Sequence, residues 1–504
     1  MITKIFSAAL WGLDAFLVSA EFDLSPGFPA FQIIGLGDTA VQESKERVRS
    51  SMRNCGITFP YSKKLIVNLA PADVKKNGPS FDLAIAVGIL KAMGVVQKSL
   101  DDSLFVGELS LDGSLRKVNG VLSIAVFARD HGFKKFYVPA ENFHEGSLVT
   151  GIEIIPLVGL SHFLSLLQGT APAPFPEKPF LPLEIHNEEL VNDIAFIRGQ
   201  EMPKRALEIA ASGGHNILFN GPPGSGKTML AKALAGILPK LGAEEALEVT
   251  KIYSIAGLLK SGNTLVSKRP FRSPHHTASP AALVGGGTIP RPGEITLAHR
   301  GVLFLDEFSE FARGVLESLR QPLEEKEITI SRAFGGITFP ASFILIASTN
   351  PCPCGYATHP TRECSCSPHA IERYTQRLSG PILDRFDLQI EVAPVEISVL
   401  EMRSEKIEKS ARVRTRVEQA REFQFKRFSG TGIFYNAEMN TRNIETYCTL
   451  KPESAAFLKN ASIKLNLSAR GYFKILKVGR TIADLSQSET LETEHIAEAL
   501  QYRF

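Results

Sequence analysis

Residues 215–230 read HNILFNGPPGSGKTML. An apolar run, Ile217 to Phe219, empties into a loop with glycines at 221, 224 and 226, and a helical pattern resumes behind Lys227. The spacing G-x-x-x-x-G-K-T over 221–228 predicts a strand before the loop and a helix after it. Glycines let the backbone turn its N–H groups toward phosphate oxygens, and a helix N-terminus adds a field that favours negative charge. Lys227 is placed to reach the β- and γ-phosphates, and Thr228 to offer its hydroxyl to Mg²⁺. Gly221, Pro222, Pro223, Gly224, Ser225, Gly226, Lys227 and Thr228 are therefore the expected cradle for ATP, in an α/β core with a parallel sheet. A chance glycine turn would need neither flanking signal.

GVLFLDEF (301–308) is a second apolar strand, ending in two carboxylates. Asp306 is expected to hold the Mg²⁺ through water, and Glu307 to orient or deprotonate the attacking water. The competing reading, an acidic strand end without a role, leaves its pairing with the glycine loop unexplained. A third strand, FILIASTNP (343–351), ends at Asn350, whose amide can position the lytic water or meet the γ-phosphate. Arg385 follows in GPILDRFDL (380–388), and Arg470 in LSARGYFKILKVGRTIADL (467–485). This order resembles that of AAA+ ATPases. The resemblance implies Asn350 as sensor 1, Arg385 as an arginine finger and Arg470 as sensor 2. In that family the finger enters a neighbour's site, which implies a ring, usually a homo-hexamer. Either arginine could instead serve an ordinary surface salt bridge.

Two insertions narrow the branch. A long segment between the two carboxylate and lysine motifs contains FRSPHHTASPAALVGGGTIPRPGEITLAHRG (271–301), and QPLEEKEITISRAFGGITFPA (321–341) reads as a β-hairpin with Gly335-Gly336 near its turn. They resemble the helix-2 insert and pre-sensor-1 hairpin shared by magnesium-chelatase ATPase subunits and minichromosome-maintenance helicases. In the helicases a basic hairpin residue touches DNA in the central pore, and the matching position is Arg332. A hairpin arginine that only solvates a turn is the alternative.

The chain has 504 residues, 44% hydrophobic and 22% charged, with a net charge of +3. That balance fits a globular protein of several domains and excludes a uniformly basic surface. The N-terminus, MITKIFSAALWGLDAFLVSAEFD, is interrupted by Asp14, Glu21 and Asp23. It matches neither a signal peptide nor a membrane span, so a cytoplasmic protein without membrane partners is expected. Residues 1–168 mix short β-like runs (KLIVNLAP, KKFYVPA) with apolar helical ones (FDLAIAVGILKAMG). A Pro-rich linker over 169–182 follows, then the ATPase core over 183–395 and a charged, helical C-terminal lid over 396–504.

With SPHHTAS, PRPGEITLAHRGVLFLDE and NPCPCG, the whole chain resembles the YifB/ComM family of magnesium-chelatase-like proteins. The family architecture is an N-terminal Lon-like (ribosomal-S5-type) α+β domain, a P-loop AAA+ parallel-sheet core and a chelatase-like helical lid. ComM-type members are hexameric helicases that drive branch migration in natural transformation. The resemblance therefore implies DNA, branched or single-stranded, as the partner. Chelatase-type remodelling with partner subunits is the alternative. Local basic stretches, SKRPFR (267–272) with Arg470, Lys474, Lys477 and Arg480, fit DNA better than a porphyrin.

Two features remain. Cys352, Cys354, Cys364 and Cys366 lie in CPCGYATHPTRECSC. Two C-x-C pairs could give a structural, tetrahedral Zn²⁺ site, with His359 and His369 as substitutes. Reduced metal-free thiols and a redox switch are the alternatives. Ser80 sits in KNGPSFD, a setting like that of the nucleophile in Lon-type peptidases, which use a Ser–Lys dyad. Alignment on Gly107-Glu108 places Ile124 where the lysine should be, with Lys117 too early. An isoleucine cannot take a proton. The expected consequence is a Lon-like fold without peptidase activity and a structural Ser80.

Overall fold

The computed structural model describes residues 2–76, 78–170, 192–259, 265–287, 290–332, 335–378, 380–396 and 408–503, with backbone alone at 332 and 335. The expected linker from 171 onward, and residues 183–191, lie outside the described residues.

The N-terminal part is built on a seven-stranded mixed sheet. Thr3–Trp11 and Asp14–Ser25 form an antiparallel hairpin from Thr3↔Phe22 to Trp11↔Asp14. Lys64–Ala70 adds antiparallel to Asp14–Ser25 and carries Ala30–Ile34 parallel on its other side. Ser103–Phe105, Lys135–Pro139 and Glu153–Leu157 extend the opposite edge in parallel. Alternation decides which face is inside: Leu65, Val67 and Leu69 are buried while Lys64, Ile66 and Asn68 are less so. The helix Asp82–Ala92, apolar on all sides, packs through the centre. Gly88 is required there, since a Cβ would meet the Phe22 ring at 2.0 Å.

The second sheet has five parallel strands in the order Phe271–Arg272, Val302–Leu305, Ile344–Thr349, Ile217–Asn220, Leu388–Glu391. Its central strands are buried along their length because both faces are covered. Val302, Phe304, Ile344, Ile346, Ile217 and Phe219 enter one core. Leu303, Leu305, Leu345, Ala347 and Leu218 enter another on the opposite face.

The C-terminal helices complete the first of those cores. Val413 and Val417 of Ser410–Arg427, Ile475 and Ile482 of Ala469–Leu485, and Ile496 of Thr493–Gln501 all join it. Asp484 holds this helical part together, receiving Arg427 Nη1 at 2.8 Å and Arg480 Nε at 3.1 Å. Removing its carboxylate would strand two guanidinium groups in a largely buried place, at a cost of about 3–5 kcal/mol.

The two sheets are joined by specific contacts. Lys117 Nζ donates to Leu259 O at 2.9 Å, and Ser254 Oγ bonds to buried Glu145. At Gly12, in the tip of the first hairpin, a Cβ would come within 2.6 Å of Ile337 on the hairpin Glu327–Arg332/Gly335–Pro340. Among the described residues no helix is long and apolar enough to cross a membrane.

Candidate active site

Three parallel strands end at one edge of the core sheet, and the loops leaving them carry the polar groups. The first is the glycine loop. Gly224 (φ +76°) and Gly226 (φ +92°) occupy the left-handed region, open to glycine without strain. Gly226 caps the helix Lys227–Ile237 without any side-chain bond, leaving the helix start free for an anion. Lys227 Nζ donates to Gly221 O at 2.7 Å, Pro222 O at 2.9 Å and Asn350 Oδ1 at 3.3 Å. Burial pushes its pKa below the usual lysine value.

The carboxylates come from the strand Val302–Leu305. Thr228 Oγ1 donates to Asp306 Oδ2 at 3.1 Å, the pairing a shared Mg²⁺ requires. Ser348 Oγ donates to Asp306 Oδ1 and accepts Glu307 N at 3.3 Å. Glu307 itself has φ +52°, a conformation that is costly for a residue with a Cβ and that turns its side chain out of the strand line. Glu307 Oε2 lies 3.0 Å from His276 Nδ1, and the His276 ring packs on His275 at 4.1 Å, tilted by 33°.

These donors fit a magnesium–nucleotide complex: a lysine and helix N-terminus for phosphates, a Thr–Asp pair for the ion. Ser225 Oγ is buried in the loop with no hydrogen-bond partner among the described residues, as a hydroxyl awaiting a phosphate oxygen would be. Two members of the site were missed in the sequence. Ser348 shares a strand face with Asn350 two residues on, a period-two signal that could have found it. His276 comes from SPHHTAS, an irregular loop where no period points at Glu307.

Arg385 and Arg470 are not brought to these groups. Asn216, which precedes the strand Ile217–Asn220, donates its Nδ2 to Arg385 O at 3.0 Å, whereas the glycine loop follows that strand. The Arg385 backbone is therefore about a strand length, roughly 13 Å, from the glycine loop, at the starting end of that strand. Its guanidinium bonds to Glu324, and Arg470 lies 3.9 Å from Glu324 and 3.8 Å from Asp384. Both line an open cleft of about 760 Å³ with Lys474 and Lys477. Arg332 pairs with Gly335 at the end of the hairpin, and its side chain and residues 333–334 lie outside the described residues.

Most cations of the basic stretches have partners within the fold. Arg480 is buried against Asp484, Lys474 Nζ donates to Phe386 O at 2.9 Å, and Lys477 Nζ to Ala437 O at 2.8 Å. Arg269 is spent on Pro239 O, Arg300 O and Glu245, and Arg272 on Glu294. Charge counted along a sequence does not reveal how much of it the fold consumes internally. The four cysteines do converge, all four Sγ atoms within 4.8 Å, and no histidine joins them among the described residues.

A five-stranded parallel sheet with this loop, this acidic strand end and this polar third strand defines a P-loop ATPase of the AAA+ class. The comparisons agree. Magnesium chelatase, subunit ChlI, matches residues 193–400, its C-terminal part residues 407–503, and the ChlI subunit profile residues 20–142. Competence protein ComM of Haemophilus influenzae is 46% identical, over 99% of this chain and 97% of its own. YifB of Escherichia coli is 42% identical, over 100% and 97%, and a Mycobacterium tuberculosis protein, Rv2897c, 39%, over 99% and 98%. The chain belongs to the YifB/ComM family of magnesium-chelatase-like AAA+ ATPases.

Proposed function

We propose that this protein is an ATP-hydrolysing hexameric ring motor that acts on DNA, driving branch migration or unwinding as incoming DNA recombines in natural transformation. The observation that carries the reading is the division of the named arginines from the phosphate groups: Arg385 sits at the start of the strand Ile217–Asn220, and the glycine loop leaves its end. Lys227, Thr228, Asp306 and Asn350 are joined by hydrogen bonds with Glu307 beside them, while Arg385 and Arg470 gather at Glu324. Two such groups meet when copies pack side by side, as in a closed ring. The competence name of a relative 46% identical along nearly the full chain supports the pathway.

Lys227 Nζ would exchange the carbonyls of Gly221 and Pro222 for phosphate oxygens, and Asn350, already beside it, would follow the γ-phosphate. Thr228 and Asp306 would hold Mg²⁺, whose charge offsets that of the phosphates. Glu307 would take the proton of the attacking water, held in place by its strained backbone and by His276. Peptidase activity is not part of the reading: Ile124, at the dyad-lysine position, is buried in the apolar core.

The chelatase profiles favour a second reading, a remodelling factor that works with partner subunits. ATP turnover measured with branched DNA and without DNA separates the two. A motor should be stimulated by the DNA, and unchanged turnover would reject it.

Arg332 supplies a finer test. A pore residue that grips any sequence must hold phosphate rather than bases. Arg332→Ala should weaken DNA binding about equally across sequences and lower the salt slope by about one unit. Basal ATPase should survive and junction processing should fail. Normal junction processing by the variant would remove the hairpin from the mechanism.

A further inference from the structure

The cysteine cluster lies outside everything the ATPase reading uses, yet its geometry is specific. Cys352 Sγ is 3.4 Å from Cys354 Sγ and 3.6 Å from Cys364 Sγ, and Cys354 Sγ is 3.6 Å from Cys364 Sγ. A tetrahedral Zn²⁺ with Zn–S bonds of about 2.3 Å sets its sulfurs about 3.8 Å apart, so three of the thiols stand at nearly that spacing and Cys366 Sγ lies within 4.8 Å of all three. They are too far apart for disulfides, whose sulfurs are about 2.0 Å apart, and too close together for the wider spread of an iron–sulfur cluster. Backbone amides complete the pattern: Cys354 N donates to Cys366 Sγ at 3.3 Å and Cys366 N to Cys364 Sγ at 3.4 Å. Such N–H···S bonds lower the charge on thiolates and fix their directions around a metal. Four protein ligands leave no open position, so the ion would be structural.

The position of the loop gives the ion a purpose. It begins directly behind Asn350, whose amide meets Lys227. Gly355, next to Cys354, has φ +84° and packs so closely on the glycine loop that a Cβ would lie 2.6 Å from Pro223 Cδ. The cysteine loop is thus a wall of the phosphate site, and of its four cysteines only Cys352 is fully buried. We propose that Cys352, Cys354, Cys364 and Cys366 bind one Zn²⁺ per chain, and that this ion clamps the Asn350 loop against the glycine loop and so sets nucleotide affinity. The second half rests on the nucleotide reading above; the first does not.

The test begins with full-length protein purified without chelator. Elemental analysis should give one Zn²⁺ per chain, and replacement by Co²⁺ should give the intense visible bands of a tetrahedral thiolate. Cys364→Ser should lose the ion, and Cys448→Ser, in the lid core beside Leu476 O, should keep it. Parent protein without zinc, or a cobalt spectrum without thiolate bands, overturns the site whatever the ATPase does. For the clamp, metal-stripped parent should bind a fluorescent ATP analogue about tenfold more weakly and recover with added Zn²⁺. Because Cys364→Ser could simply misfold, Gly355→Ala is the second variant. It leaves all four ligands in place, so it should retain zinc while losing nucleotide affinity. Parent-like affinity in both the stripped protein and the zinc-loaded Gly355→Ala variant overturns the clamp.

Discussion

Glu307→Gln should bind ATP as the parent does and hydrolyse it slower by a factor on the order of 10²–10⁴, the usual effect of removing a general base. Lys227→Ala should lose both activities, because it fails at the earlier step. The distinction follows from where each side chain stands. Lys227 is buried in the glycine loop, with Nζ among backbone carbonyls and the Asn350 amide, so its removal empties the phosphate cradle of its charge. Glu307 lies beyond Asp306, half exposed, with its carboxylate on His276. Glutamine keeps its shape and its contact with His276 but cannot accept a proton. Nucleotide titration and steady-state turnover on both variants check this. Equal turnover by parent and the glutamine variant would take the base role from Glu307, and nucleotide binding by Lys227→Ala at parental affinity would do the same for the cradle.

Most of this half of the site was legible in the sequence because its residues follow strand ends. Once GPPGSGKT, VLFLDE and LIASTN are recognised as strand-plus-loop, parallel pairing fixes them at one edge of the sheet. The fold was legible for a similar reason. KLIVNLA alternates with period two and became Lys64–Ala70, and the unbroken apolar run FDLAIAVGILKA became the buried helix Asp82–Ala92. What stayed hidden depends on contacts between distant segments. His276 reaches Glu307 across an irregular insert, and Arg480 and Lys474 look like surface charge until the lid helix docks and buries them. Burial of a cation is set by its partners, here Asp484 and Phe386 O, which no local pattern announces.

Arg385→Ala should lose ATPase activity by a factor on the order of 10³, as arginine fingers do, and regain part of it when mixed with Lys227→Ala. The second half of that expectation separates a finger from a salt bridge. The Arg385 backbone is held at the end of the strand Ile217–Asn220 away from its own glycine loop, about 13 Å from it, so its side chain does not reach its own γ-phosphate. Burial first, then the nearby Arg470 and Arg320, pushes its pKa below the ordinary arginine value, against the pull of its Glu324 partner. Its Nε is buried without a hydrogen-bond partner among the described residues. Glu324 is shared between Arg385 and Arg470, and Asp384 adds one more carboxylate at long range. An anionic group from outside the chain would meet this largely buried guanidinium and its Nε, unpaired among the described residues, and a neighbour's nucleotide is such a group. In a mixed ring, an Arg385→Ala subunit brings an intact glycine loop, and a Lys227→Ala neighbour brings an intact arginine. Their shared interface is complete although each variant alone is dead. A residue serving only its own Glu324 would show no such rescue, and its loss would appear instead as a lower Tm in every mixture. Absence of rescue under conditions where subunits demonstrably exchange would therefore remove Arg385 from catalysis and, with it, the main structural argument for a ring.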